Sequence, residues 1–382
     1  MLILIAGAGR NGRKCAGILA QLGIKVEAFL DNDDRKIGSL IEGIPVVPVS
    51  KYSKKKDESI VLFSPDGYIS FKAQIEGIYP NVRDINVNVS DKYLIGENVG
   101  YEAFYPIGHY ESLYPNASEL MKGNDQVEDQ FIEVSDIPGV DLNEDTQYKM
   151  LEEIMTYYKD IPAWKKFRSG GATKYRFRLN NPSFPNGDAV CYFAMLNIVK
   201  PQRVIEIGSG WTSAILLDAN QYIFNGGISC SFIEPYADRL KSILNNGDNI
   251  ELYEKDLQEI PLEFFDILNE GDILFIDSTH ISKQGSDVNY LFFEVIPRLK
   301  KGVYIHIHDI FYPLVYPYQW IKKGFVLNEA FILRAFLQYN HEFEIIYYQN
   351  YIQKKYKNTI AESWPLEDKN DIGGGSFWMR RR

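Results

Sequence analysis

Short runs of hydrophobic residues alternate with longer segments of three-to-four-residue hydrophobic spacing along much of the chain. In the first third the runs are LILIAGA, KVEAFLD and SIVLFSP, and an amphipathic segment at 11–22 follows the first of them. A short apolar run bounded by turn residues predicts a buried strand, and the longer periodic segment predicts a helix. Strands that alternate with helices in this way predict a parallel, doubly wound α/β sheet.

The same alternation returns from residue 203 onward. Seven candidate strands follow one another there, RVIEIGS, ISCSFIE, IELYEKD, DILFIDS, GVYIHIHDI, FEIIYYQ and SFWMRR. Helical spacing between most of them predicts a second doubly wound sheet, and the last two runs predict an antiparallel hairpin at one sheet edge. The chain is therefore predicted to hold two Rossmann-like α/β domains, the second with seven strands.

An acidic stretch separates the two patterned regions. Residues 121–147 contain eight acidic residues and a single basic one, Lys122, and they show little apolar periodicity. Such a composition is typical of a solvated connector. We therefore expect a first domain at 1–115, an acidic connector at 116–147 and a second domain at 148–382.

Composition narrows the functional classes. The 382-residue chain carries a formal net charge of −10, whereas nucleic-acid-binding proteins usually present a basic face. Three cysteines (Cys15, Cys191 and Cys230) lack the close spacing of a zinc site and fit a reducing compartment. No apolar run reaches membrane-spanning length, and MLILIAG lacks the basic lead-in of a signal peptide. We expect a soluble cytoplasmic protein without a nucleic-acid partner or membrane span, and a homo-oligomer is compatible with the sequence.

The first candidate binding motif is MLILIAGAGRNG. Gly7, Gly9 and Gly12 form G-x-G-x-x-G between a predicted strand and helix, and Asp31 ends the next predicted strand. This is the context of a dinucleotide site, in which the glycines admit the pyrophosphate and the acid binds a ribose. No Tyr-x-x-x-Lys pair follows within 32–115. The motif predicts binding of NAD or another nucleotide, with a purely structural or oligomerising role as the alternative.

The second candidate motif is RVIEIGSGWTS. Glu206, Gly208 and Gly210 form E-x-G-x-G at the end of a predicted strand, while Glu234 and Asp256 end the next two strands. Glycines let the backbone turn sharply and approach a ligand, and the following helix offers free N–H groups. An acid at the second strand tip suits ribose hydroxyls, and the third could meet an adenine amino group. Three acid-tipped strands after a glycine turn predict a nucleoside site.

Further polar residues stand at the predicted ends of the fourth and fifth strands. Asp277 and His280 follow the fourth strand, and His308 and Asp309 follow the fifth. Open α/β sheets bind their ligands at the carboxyl ends of strands, so these four side chains are expected to share one cavity. His308 or His280, with a pKa near neutrality, is a candidate general base. His306 lies within the fifth strand and is expected to be a hydrogen-bonded core residue.

Residues from about 175 to 382 resemble class I S-adenosylmethionine-dependent methyltransferases. The resemblance is based on the E-x-G-x-G loop, the acids at the ends of the strands and the count of seven strands. The resemblance implies that Glu206, Gly208 and Gly210 surround the methionine part of the cofactor. It also implies that Glu234 holds the ribose and that Asp256 lies near the adenine.

The segments FIDSTH, GSDVNY and VYIHIHDIF, preceded by NNPSF, resemble a glycan-associated branch of small-molecule and sugar O-methyltransferases. That resemblance implies a hydroxyl of a sugar, nucleotide sugar or glycan precursor as acceptor, and Asp277 and Asp309 as ligands of a divalent metal. It implies an acceptor site lined by Tyr175, Asn181, Phe184, Asp188, Asn289, Tyr316 and Trp320. Because this chain has His-Asp where those enzymes often have Asp-Asp or Asp-Asn, metal-free transfer with a histidine base is the alternative.

The segment AFLDNDDRKIGSLIEGIPVV resembles the N-terminal sugar-nucleotide-binding domain of bacterial sugar acyltransferases. This implies that the first domain binds a nucleotide sugar or serves assembly. The leading hypothesis is a methyltransferase acting on a sugar hydroxyl. The alternatives are an NAD- or nucleotide-sugar-binding protein whose second domain is catalytically inactive, and an NAD-linked reductase that uses the first domain.

Overall fold

A computed structural model describes residues 2–21, 23–63, 69–84, 136–167, 169, 173–322, 324–369 and 371–382. The chain divides into two compact units, Met1–Phe104 and Tyr105–Arg382. Within these described ranges, no helix combines the length and the apolar character needed to cross a membrane.

The first unit contains a six-stranded sheet. Its strands are β1 (Leu2–Ala6), β2 (Ala28–Asp31), β3 (Leu40–Ile41), β4 (Ile44–Pro48), β5 (Ser59–Phe63) and β6 (Val82–Asp84). Its helices are α1 (Arg10–Gln21), α2 (Ile69–Glu76) and a 3₁₀ helix at Val49–Glu58. The strand order is β3-β4-β2-β1-β5-β6, and every pair is parallel except the β3–β4 hairpin. The three strands and the first helix expected from the pattern are confirmed.

Side chains of the first unit's central strands alternate between two separate cores. Leu4 and Leu30 pack with Ile75 of α2 on one face of the sheet. Ile5 and Phe29 pack on the opposite face, in the core that also contains residues of α1. Because alternate residues of a strand point to opposite faces, two covered faces require a nearly continuous apolar run. This explains the sequences LILIA and AFL, and it confirms the doubly wound arrangement.

The second unit contains a seven-stranded sheet and a two-stranded one. The strands are β7 (Lys165–Lys166), β8 (Arg178–Leu179), β9 (Arg203–Ile207), β10 (Ser229–Ile233), β11 (Ile250–Tyr253), β12 (Ile273–Ile276), β13 (Tyr304–Ile307), β14 (Phe343–Tyr348) and β15 (Phe377–Arg381). The helices are α3 (Glu144–Thr156), α4 (Asn186–Val199), α5 (Trp211–Tyr222), α6 (Asp238–Ile243), α7 (Asp287–Tyr290), α8 (Tyr318–Lys322), α9 (Glu329–Leu337) and α10 (Gln349–Ser363).

The large sheet has the order β11-β10-β9-β12-β13-β15-β14. Strands β9 to β13 pair in parallel, whereas β15 pairs antiparallel with both β13 and β14. All seven predicted strands and the terminal antiparallel pair are thus confirmed. The chain order reverses between β9 and β12, and open α/β sheets bind ligands at such a switch point.

His306 belongs to the core of this sheet, as expected. Its ring stacks on Phe275 with centroids 3.9 Å apart, and Nε2 lies 3.1 Å from the Ser376 hydroxyl. Burial holds the pKa of His306 well below its ordinary value, which keeps the ring neutral. This histidine therefore serves packing inside the strand.

The described end of the acidic segment differs from the solvated connector expected at 116–147. Ile137 and Leu142 are buried in the core of the second unit. Gln147 is also fully buried, and its side-chain oxygen accepts the backbone N–H of Tyr348 at 2.7 Å. Because acidic residues predominate in this stretch, the sequence pattern did not reveal the few apolar positions by which 136–147 packs against the sheet.

Candidate functional site

The second glycine motif forms a tight loop between β9 and α5. Gly208 has φ +75°, a conformation that favours glycine, and its N–H donates to the Ile233 carbonyl at 3.0 Å. A Cβ atom at Gly208 would lie 2.1 Å from the Asp277 carbonyl oxygen. Only glycine therefore allows the loop to lie directly against the carboxyl end of β12.

Glu234 follows β10 and faces this loop. One carboxylate oxygen accepts the Ser209 N–H at 3.0 Å, and the other accepts the Tyr236 N–H at 2.8 Å. The residue is half-buried. Since each carboxylate oxygen has two lone pairs, Glu234 retains acceptor capacity for a ligand hydroxyl.

Glu206 lies below the loop and is fully buried. Its Oε1 accepts the hydroxyls of Thr212 and Ser213 at 2.5 and 2.6 Å, while Oε2 has no partner in the described structure. Burial raises the pKa of Glu206 to about 8, although the two hydroxyl hydrogen bonds oppose that rise. Glu206 therefore supports the loop from within the protein, whereas the resemblance placed it at the cofactor.

Of the other two cofactor-binding candidates, Gly210 lies in the same loop and Asp256 lies beyond β11. The N–H of Gly210 donates to the Ser213 hydroxyl at 2.9 Å, and a Cβ on Gly210 would lie 2.9 Å from Cδ of Arg239. Asp256 follows β11, is half-buried and precedes a short 3₁₀ helix at Leu257–Glu259.

The four residues predicted at the tips of the fourth and fifth strands converge. Nε2 of His280 lies 3.4 Å from Asp277 and 3.7 Å from Asp309. Nδ1 of His308 lies 3.5 Å from Asp277 and 3.6 Å from Asp309. Each carboxylate thus faces both imidazoles, and we call these four residues the tip cluster.

The outer nitrogen of each histidine meets a further buried carboxylate. Nδ1 of His280 lies 2.8 Å from Glu329, and Nε2 of His308 lies 3.3 Å from Asp188. Both carboxylates are fully buried. Glu329 escaped the sequence analysis because 49 residues separate it from His280; its only signal was an acid at the start of a predominantly apolar helix.

The surrounding carboxylates control the charge of both histidines. Burial alone would lower the pKa of His280, but hydrogen bonds with Asp277 and Glu329 outweigh it and raise the pKa to about 10. Burial likewise opposes the charged form of His308, yet Asp309 and Asp277 hold its pKa well above the ordinary value. The expectation of a histidine pKa near neutrality is therefore wrong for this state of the site.

The two carboxylates of the tip cluster shift in opposite directions. Burial favours the protonated form of Asp277, but His308 and His280 outweigh it and hold its pKa well below the usual range. Burial raises the pKa of Asp309, although the same two histidines oppose the rise. The cluster therefore contains two chemically different carboxyl groups.

Backbone strain occurs at both strand tips. His280 has φ +59° and Asp309 has φ +58°, and non-glycine residues rarely adopt this left-handed conformation. The His280 carbonyl accepts the N–H groups of Asn328 and Glu329 at 3.1 and 3.2 Å, which fixes its orientation. Such strain persists where surrounding structure enforces it, often at functional sites.

Among the described side chains, no group of three or more His, Cys, Asp or Glu residues has the spacing of a ready-made metal site. The donor types of the tip cluster nevertheless suit a divalent cation, since they are two carboxylates and two imidazoles. Each imidazole also keeps its outer nitrogen on a carboxylate, as metal-bound histidines commonly do.

The acceptor-lining residues implied by resemblance do not all reach the tip cluster. Asp188 contacts His308, and the Phe184 ring lies 4.9 Å from the His308 ring. Asn181 hydrogen-bonds within its own turn, and Asn289 hydrogen-bonds to Ser282 and Lys283 of the preceding loop. Three further residues contact other aromatic rings: Tyr175 packs edge-on against Tyr222, and Tyr316 stacks with Trp320 at 6.3 Å.

The first glycine motif has a similar local design. Gly7 has φ +86°, and the Ala8 N–H donates to Asp31 at 2.8 Å. The second oxygen of Asp31 accepts the Asp33 N–H, and Lys36 lies 3.3 Å from the carboxylate. A Cβ at Gly12 would lie 1.8 Å from the Gly7 carbonyl oxygen, whereas Gly9 has open space. Asp31 thus faces its glycine loop as Glu234 faces Ser209.

Comparison with known proteins identifies the second unit. A family model described as a methyltransferase domain matches residues 205–310, which run from β9 through the tip cluster. An uncharacterised protein of Archaeoglobus fulgidus is 33% identical over 183 residues, covering 47% of this chain and 80% of that protein. The second unit therefore contains a class I S-adenosylmethionine-dependent methyltransferase domain.

Solved methyltransferase structures are similar to this methyltransferase at lower sequence identity than the Archaeoglobus fulgidus protein. The methyltransferase FkbM from Methylobacillus flagellatus KT aligns with a TM-score of 0.40 and 11% identity, covering 99% of this chain and 89% of that one. The O-methyltransferase TomG from Streptomyces achromogenes aligns with a TM-score of 0.33 and 13% identity, covering 67% and 96%.

The buried carboxyl of Glu206 makes a prediction about stability and pH. The pKa of glutamate in an unfolded chain is about 4.3, so between that pH and about 8 only the unfolded state is ionised. Stability from this group is full below about pH 4.3 and is lost as the pH rises, by up to roughly 1.4 kcal/mol per unit. The isosteric Glu206→Gln should abolish this component.

Urea unfolding of wild type and Glu206→Gln at pH 5, 6.5 and 8 measures the effect. The free energy of unfolding should fall more steeply with pH for wild type than for the variant. Parallel pH dependences for the two proteins would show that Glu206 is ionised in the fold.

Proposed function

We propose that this methyltransferase transfers the methyl group of S-adenosylmethionine to a hydroxyl oxygen of a sugar, nucleotide sugar or glycan precursor. The observation that carries the proposal is the contact between Gly208 and the carbonyl of Asp277. It puts the glycine loop, the candidate donor site, directly beside the tip cluster. A methyl donor on the loop and a hydroxyl at the cluster would be neighbours.

On the donor side, Gly208 and Gly210 approach the methionine part of the cofactor with bare backbone. Glu234 accepts a ribose hydroxyl with the lone pairs that Ser209 and Tyr236 leave free. Asp256 lies near the adenine. Glu206 acts indirectly, because its carboxyl group holds the loop through hydroxyls of α5.

On the acceptor side, the carboxylates are more accessible than the imidazoles. The Asp277 and Asp309 side chains are 33% and 21% exposed, against 12% for His280 and 2% for His308. An entering hydroxyl therefore meets a carboxylate first, and the histidines hold both carboxylates in position. The hydroxyl oxygen attacks the methyl carbon, the carbon–sulfur bond breaks to release S-adenosylhomocysteine, and a carboxylate takes the proton. Alignment of these atoms supplies most of the rate acceleration.

A divalent cation is a second way to activate the hydroxyl, favoured by the buried carboxylates behind both histidines. Asp277 and Asp309 would hold it. When bound, such a cation lowers the pKa of the acceptor hydroxyl. We prefer the metal-free version, because the described side chains lack the spacing of a metal site.

For the first unit we propose nucleotide-sugar or NAD binding at Gly7, Gly9, Gly12 and Asp31. Support comes from the Asp31 carboxylate, which faces the glycine loop. A cytoplasmic location is proposed as well, since the three cysteines are free and buried. The second candidate function is nucleotide binding by the first unit alone, with an inactive second unit.

Glu234→Ala tests the donor site. Loss of the carboxylate removes both the hydrogen-bond acceptor for the ribose hydroxyl and the acceptor of the Ser209 N–H. Affinity for S-adenosylmethionine should therefore fall at least tenfold in isothermal titration calorimetry. Glu254→Ala is the control, because Glu254 follows the next strand and pairs only with exposed Lys241 among its described contacts. Equal affinities for the two variants would remove Glu234 from the site.

His308→Ala tests the acceptor side. The variant should bind S-adenosylmethionine normally but transfer methyl groups about 100-fold more slowly, because Asp277 and Asp309 lose a shared partner. Radiolabelled methyl transfer to a sugar-nucleotide and glycan extract measures the rate, and exposed His341→Ala is the control. Turnover equal to wild type would exclude His308 from the mechanism.

Removal of metal ions separates the two forms of the mechanism. After dialysis against EDTA, the metal-free version predicts an unchanged transfer rate in the same assay. Loss of activity that returns with added Mg²⁺, Mn²⁺ or Zn²⁺ would instead establish the cation at Asp277 and Asp309.

A further inference from the structure

A large open cleft lies in the second unit outside the tip cluster. Its volume is about 1350 Å³, and its described walls come from the end of α3, residues within 158–167, Ser169, the turn at 179–186, residues within 363–368 and Asp371. None of the four tip-cluster residues lines it. Pockets for drug-sized ligands usually measure about 300–1,000 Å³, so a single sugar ring would leave most of this cleft empty.

The cleft shares two chain segments with the acceptor side of the reaction centre. Asn186 on its wall donates to Asp371, which also lines the cleft. Two residues beyond Asn186, Asp188 contacts His308, and the Gly375 N–H donates to that carboxylate at 3.1 Å. A ligand in the cleft would therefore contact the same two segments that position His308.

Among the described lining residues of the cleft, positive and negative charges are equal in number. The lining contains three lysines and three acids, Lys159, Lys165, Lys166, Glu367, Asp368 and Asp371. Lys166 already lies 3.2 Å from Glu367. A phosphate-rich ligand needs an excess of positive charge, which the described residues of this wall do not offer. The balance favours an uncharged ligand with many hydrogen-bonding groups.

Aromatic and amide groups on the wall agree with such a ligand. Trp164 lines the cleft with the accessible part of its ring, and the rest of the side chain packs edge-on against Phe177 and Phe193. Asn180 lines it as well, cross-linked to Asn186 at 2.7 Å. An aromatic surface next to fixed amides suits ring-shaped ligands that carry hydroxyls.

We propose that this cleft binds the part of a neutral oligosaccharide acceptor that extends beyond the methylated residue. The inference rests on the proposed function for the identity of the acceptor, and it narrows the substrate class from sugars in general to saccharide chains. The cleft supplies affinity, and the tip cluster acts on the end of the chain.

Ala163→Trp tests the cleft, because Ala163 is an exposed lining residue and an indole there would narrow the cleft beside Trp164. The control is Ala20→Trp, which adds the same side chain at an exposed position of α1. An array of neutral mono- to hexasaccharides selects the best ligand for the wild-type full chain, and titration calorimetry compares that oligosaccharide with its monosaccharide.

We expect the oligosaccharide to bind at least tenfold more tightly than its monosaccharide. Ala163→Trp should remove that advantage, while Ala20→Trp keeps it and both variants bind S-adenosylmethionine normally. The proposal is overturned if the array shows no ligand, if the monosaccharide binds as tightly, or if Ala163→Trp binds like wild type.

The same proteins distinguish this inference from the proposed function. If a monosaccharide is methylated as efficiently as the oligosaccharide, the proposed sugar O-methylation stands, but the proposal that the cleft binds the rest of the acceptor is overturned. Methyl transfer only to a non-carbohydrate acceptor would overturn the proposed function. The ratio of the oligosaccharide and monosaccharide affinities would still test whether the cleft binds saccharide chains.

Discussion

The absence of a side chain at Gly208 is the constraint on which the arrangement of the second unit depends. The β9–α5 loop lies so close to the end of β12 that a Cβ atom would overlap the Asp277 carbonyl. Glu206 holds this loop from the buried side, and Glu234 holds it from the accessible side. The glycine loop and the tip cluster thereby become parts of one surface.

Burial of charge at the tip cluster is tolerated because every ionisable group there faces an opposite one. Two imidazoles lie among four carboxylates, of which Asp188 and Glu329 are fully buried. Removal of one partner of a buried pair leaves an uncompensated charge, which typically costs about 3–5 kcal/mol. The cluster is therefore a structural unit as well as a candidate reaction centre, and its members are best compared through both stability and turnover.

Local sequence predicted most of the fold, because strand and helix periods depend on neighbouring residues. It also predicted that Asp277, His280, His308 and Asp309 would meet, since parallel strands end at one edge of a sheet. It missed the β3–β4 hairpin, which has only two residues in its first strand. Glu329 and the supporting role of Glu206 escaped because they depend on contacts between distant segments and on burial, which no local pattern contains.

The position of β15 has a consequence for the order of folding. This strand inserts between β13 and β14, and the residues just before it, Gly375 and Ser376, donate their N–H groups to Asp188. Asp188 stands almost two hundred positions earlier in the chain, so this contact is strongly non-local and slow to form. A growing chain can complete the glycine loop early, yet the carboxylate of Asp188 acquires its two backbone donors only after the last residues of the chain have been synthesised.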